Sequence, residues 1–80
     1  MASQNLYDRI TINPKVLLGK PTIRGLRISV EQILNALAAG VPAEDLLQDY
    51  PELEPEDIRA ALAYAASIIT DERVYDLKAA

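Results

Sequence analysis

Between Tyr7 and Ile12 the chain alternates, with Ile10 and Ile12 on one side and Arg9 and Thr11 on the other. A period of two predicts a short strand, and Asn13-Pro14 closes it as a turn pair. Leu26, Ile28 and Val30 alternate with Arg27 and Ser29, predicting a second short strand. Between the two, Gly19 and Gly25 allow backbone angles that other residues resist, while Pro21 fixes its own φ. The expectation is a β element over residues 7–28 that needs helices to pack on, since an isolated hairpin is marginal in water.

The period then changes to that of a helix. Val30, Ile33, Leu34, Leu37, Ala38 and Val41 make one apolar stripe. Ser29 and Gln32 stand at capping-box spacing at its start, and Gly40 stands where a helix-ending glycine belongs. A helix over about 29–39 follows. Pro42 with Glu44 and Asp45 opens a second helix, 42–50, which Pro51 ends. Glu54, Pro55, Glu56 and Asp57 open a third, 55–69, although glutamate is a poor N-cap. From Ile58 to Ile69, ten of twelve residues are apolar. A helix apolar nearly all round is expected to be buried nearly all round. A chain of 80 residues can cover only one side of it. Its other side, with Ala61, Ala65 and Ile68, is therefore expected to meet a second copy or a partner.

The fold class predicted is mainly α with a short N-terminal β element, a three-helix, helix-turn-helix-like domain of homeodomain or winged-helix kind. Residues 7–69 form that single domain, residues 1–6 a flexible start and residues 70–80 a tail that a partner could order.

Composition narrows the function. The chain has no cysteine and no histidine, which excludes Cys/His metal sites and imidazole- or thiol-based catalysis. The expectation is a non-enzymatic protein that needs no cofactor or metal. No run approaches the roughly 20 apolar residues of a membrane span, and the first residues have no signal-peptide character, so a soluble, cytoplasmic protein is expected. The charge is split. Residues 1–30 hold five bases against one acid, whereas residues 31–80 hold three bases against eleven acids. Acids at helix N-termini explain Glu44, Asp45, Glu56 and Asp57. The basic set, Lys15, Lys20, Arg24 and Arg27, is the candidate partner- or nucleic-acid-binding surface. Tyr50 and Tyr64 read as core residues with the hydroxyl at the rim.

The segments Ile12-Asn13-Pro14-Lys15, Gly19-Lys20-Pro21-Thr22-Ile23-Arg24-Gly25-Leu26-Arg27-Ile28-Ser29-Val30, Asp49-Tyr50-Pro51-Glu52-Leu53 and Glu56-Asp57-Ile58-Arg59-Ala60-Ala61-Leu62-Ala63-Tyr64, with Gly40 between, resemble the family called domain of unknown function 433. The resemblance spans roughly residues 7–69. It implies a small helix-turn-helix-like domain and, for some members, an antitoxin role of VapB type beside a PIN-like ribonuclease toxin. The family usually has threonine where this chain has Leu26, and serine or threonine where it has Glu54.

Three readings follow. An antitoxin-like module would use Arg24 and Arg27, whose guanidiniums pair bidentately with carboxylates, against the acidic metal site of a PIN-like ribonuclease, with operator DNA open as a second ligand. Arg24→Ala and Arg27→Ala should then leave the fold intact. The competing reading is that Arg24 pairs with acids of its own domain, in which case melting falls instead. A stand-alone DNA-binding repressor faces seven acids and no base over residues 42–57, which repel phosphate. A general protein-interaction module would dock a basic partner on that acidic face. A homo-oligomer, dimer or higher, is expected.

Overall fold

A computed structural model describes residues 5–72. It is mainly helical, with a two-stranded antiparallel sheet near the N-terminus followed by three helices. Strand β1 (Ile10–Thr11) pairs with β2 (Thr22–Ile23), with Ile10 opposite Ile23 and Thr11 opposite Thr22. Helices α1 (Val30–Ala38), α2 (Ala43–Asp49) and α3 (Pro55–Glu72) follow. Most of the expected tail, residues 73–80, and residues 1–4 of the expected flexible start lie outside the described residues.

The β element differs from the alternation pattern. The expected strand over 7–12 is a 3₁₀ turn, Leu6–Arg9, leading into only two strand residues. The Tyr7 amide donates to the Asn5 side chain at 2.9 Å and the Asp8 amide to the Asn5 carbonyl at 3.0 Å. Such local bonds offer the backbone an alternative to extension. Ile12 falls beyond the strand and is exposed, so it does not share the core side with Ile10. The second strand is Thr22–Ile23, ahead of the alternating stretch at Leu26–Val30. There the chain reverses tightly: the Leu26 amide donates to Ile23 O at 2.7 Å and the Ile23 amide to Ile28 O at 3.0 Å. Arg24 and Gly25 make this reversal with φ of 45° and 74°, the mirror-image turn that suits strand twist.

The helix ends follow local chemistry. Ser29 Oγ accepts from the Gln32 amide at 2.9 Å, the serine half of a capping box. The return half, from the Ser29 amide to the Gln32 side chain, is not made; the Thr22–Ser29 bridge rests on the flanking bonds from Ile23 N to Ile28 O and from Val30 N to Pro21 O. The Gln32 side chain instead donates to the Tyr50 hydroxyl at 2.9 Å, tying α1 to the end of α2. At the other end Gly40, at φ 96°, donates to Leu37 O, and Val41 donates to Ala36 O, both at 3.0 Å. That is the paired closure of a Schellman motif.

The core gathers Ile23 and Ile28 from the β element, Val30 and Ile33 from α1, Leu46 from α2, Leu53 from the α2–α3 connection, and Ile58 and Ala61 from α3. The all-round burial expected of α3 is not realised. Ile58, Ala60 and Ala61 are buried, but Leu62, Ala66, Ile68 and Ile69 are exposed. At 18 residues α3 is about 27 Å long, twice the length of α1, so its second half outruns the layer that covers its first.

Candidate functional site

Asp57, in the first turn of α3, is a carboxylate with no exposure. Burying an unpaired charge is prohibitive, so its partners must be complete. They are. Oδ1 accepts from Arg9 Nη1 at 2.9 Å and Arg24 Nε at 3.0 Å, and Oδ2 accepts from Arg24 Nη2 and the Glu54 amide, each at 2.9 Å. Arg24 Nη2 also donates to Glu52 O at 2.6 Å, and Arg9 Nη1 to Glu54 Oε1 at 2.8 Å. Burial by itself would raise the Asp57 carboxyl; the Arg24 guanidinium, the Glu54 amide and Arg9 outweigh it and hold the group below the usual carboxylate range.

One carboxylate thus joins the 3₁₀ turn, the Arg24–Gly25 reversal and the start of α3. It also resolves the weak cap at Glu54. The residue in the third helical position reaches back to the cap amide, the half of a capping box that does not require serine or threonine at the cap. Helix-dipole complementarity therefore explains only part of the presence of Asp57.

Arg24 lies outside the core, but its guanidinium, expected to face a partner, is engaged within the domain, which is a correction. Its guanidinium is turned onto Asp57 and Glu52, with a third of the side chain exposed. Its φ of 45° is unusual for a residue with a side chain, and this pairing holds it there. Ala61 is a second correction. Proposed for an interface, it has no exposure and lies in the core cluster, because it follows Asp57 by one helical turn on the same face. Ala65 is half-buried and Ile68 is 41% exposed.

The other bases remain at the surface. Lys20 pairs with Glu31 at 2.9 Å, both side chains more than half exposed, a contact of little energetic weight. Lys15 and Arg27 are exposed and make no ion pair among the described residues. Arg27 and Lys20 line a cleft of about 310 Å³ with Leu17, Leu18, Ser29 and Gln32. Beside it the chain makes a left-handed turn, with φ of 51°, 58° and 83° at Leu17, Leu18 and Gly19. Two leucines in that region cost on the order of 2–4 kcal/mol together. Leu18 stands at the tip, 93% exposed. Sequence reasoning missed Leu18, Arg9 and Asp57; only Gly19 signalled an unusual backbone near the first of these.

The helical fold with its N-terminal β element and the order of these segments define a small family domain. Residues 10–65 match the family described as "Protein of unknown function (DUF433)", and the chain belongs to it. It is similar to a protein described as "Uncharacterized protein y4eO" from Sinorhizobium fredii (strain NBRC 101917 / NGR234), 39% identical over 56 residues, covering 70% of this chain and 25% of that protein. It is also similar to the crystal structure of a DUF433 member protein from Anabaena variabilis ATCC 29413, with a TM-score of 0.73 and 35% identity over 79% of this chain and 62% of that one. The chain thus spans about a quarter of the first relative and under two thirds of the second.

No helix among the described residues is long and apolar enough to cross a membrane.

Proposed function

We propose that this chain is an antitoxin-like module that binds and inhibits a PIN-like ribonuclease through the cleft between Leu18 and Arg27. Arg27 carries the reading: an exposed guanidinium with no ion pair among the described residues, in a chain of net charge −4. A metal-holding cluster of carboxylates is the complementary surface, and a guanidinium meets it bidentately without losing its charge. Leu18 supplies an apolar anchor beside it, displayed by a turn already fixed before binding, which reduces the entropy lost on association. Arg24 supports this surface from behind by holding the reversal that precedes Arg27. The protein acts by binding, and its own catalysis is not part of the proposal.

The exposed acids of α2 and of the start of α3, among them Glu44, Asp45, Asp49 and Glu56, disfavour reading DNA through those helices. The test is inhibition of a PIN-like ribonuclease co-expressed with the chain. Arg27→Ala should weaken inhibition by about 2–5 kcal/mol, chiefly through faster dissociation, with melting unchanged. Equal inhibition by Arg27→Ala and the wild type refutes the proposal.

A further inference from the structure

We propose that the exposed second half of α3, with the groove it forms against α1, is the seat of a second copy of this chain. A ridge lies beside a groove on one surface. Leu62 and Ile69 are seven residues apart, which on a helix leaves them about 20° apart in direction, and they are 48% and 60% exposed. They form the ridge. Next to it, Leu34, Tyr64, Ala65 and Ile68 line a groove of about 240 Å³, with Glu31 and Asn35 at its rim. The exposed apolar residues therefore do not form a featureless patch.

A two-fold contact uses the same patch on both subunits, so the patch must complement itself. A convex ridge next to a concave groove meets that condition when the axis passes near Ala65, which lies between them on α3. Each copy then lays its Leu62 and Ile69 into the other's groove, and the small Ala65 lets the helices approach toward the 8 Å end of the usual range of about 8–10 Å. Charge agrees. Arg59 flanks the ridge, exposed and with no ion pair among the described residues. The groove rim carries Glu31, whose bond to Lys20 is solvent-exposed and weak. Across the axis, base meets acid. A standard interface takes about 800 Å² per partner, roughly a seventh of the 5445 Å² surface, an area within reach of three turns of α3 and one side of α1. The surface is distinct from the Leu18–Arg27 cleft, so a dimer presents two such clefts.

Sedimentation equilibrium of the chain should give twice its 8.8 kDa mass. Leu62→Glu and Ile69→Glu should each give the single mass with unchanged far-UV circular dichroism. Because the chain has no cysteine, single-cysteine variants give a second measurement that tolerates the wild-type fold. Ala65→Cys should oxidise to a linked dimer, and Asp45→Cys on α2 should not. A wild type that stays monomeric up to on the order of 100 μM, or cross-linking through α2 as fast as through Ala65, overturns the proposal.

Discussion

Arg24→Ala should unfold this domain at a markedly lower temperature. The substitution removes the Arg24 bonds to both Asp57 oxygens and the bond to Glu52 O, leaving Asp57 with Arg9 Nη1 and the Glu54 amide. Breaking a buried ion pair by deleting one partner costs about 3–5 kcal/mol. One third of the Arg24 side chain is exposed, so water can reach part of the vacated space, and about 2–4 kcal/mol is the reasoned range. An 80-residue domain has only about 4–12 kcal/mol in total. At roughly 4–8 °C per kcal/mol, the melting temperature should fall by about 8–32 °C. Arg24→Gly isolates the cause. It loses the same ion pair but relaxes the φ of 45°, and should be about 1 kcal/mol more stable than Arg24→Ala. Arg24→Lys should rescue little, because a point charge cannot span both oxygens. Thermal and urea unfolding at pH 7, combined with Asp57→Ala in a double-mutant cycle, give the coupling directly. A shift of under about 3 °C for Arg24→Ala, or coupling under about 0.5 kcal/mol, would refute the account.

Asp57 also sets an acid limit. Its folded pKa lies below the ordinary value near 3.8, so its stabilisation is present above that value and is lost as pH falls through the folded pKa; Asp57→Asn should flatten urea-derived stability below about pH 4. Gly40→Ala places a Cβ in open space but at φ 96°, and should cost about 1 kcal/mol from backbone strain alone, measured by urea unfolding. Leu18→Gly should go the other way, stabilising by about 1 kcal/mol as a left-handed leucine is relieved, while ribonuclease inhibition weakens; a loss of stability would sink the claim that this turn is strained. Ser29→Ala should cost about 1 kcal/mol through loss of the α1 cap, read from the same unfolding curves.

The parts legible in the sequence were those decided within one turn of chain. Ser29 caps the helix it precedes, Gly40 adopts the positive φ its position demanded, and the apolar stripe from Val30 to Val41, apart from the exposed Ala38, packs in or against the core because bonds and periodicities there are local. The gathering of bases near the N-terminus was equally plain. What only the tertiary structure decided was which of them is free. Arg24 and Asp57 are 33 residues apart and Arg9 and Asp57 are 48 apart, and no periodicity links such pairs. In the sequence Asp57 is one of several acids at a helix start; only folding makes it the carboxylate with no water and four donor groups. The strand position was likewise settled by pairing with β1 rather than by alternation. Ala61 and Ala65 share a helical stripe, yet one is enclosed and the other half-exposed, because burial along α3 depends on where the shorter elements packed against it end. The left-handed Leu17–Leu18 turn runs against local preference, so it had to be held by the surrounding fold and could not be announced by its own residues.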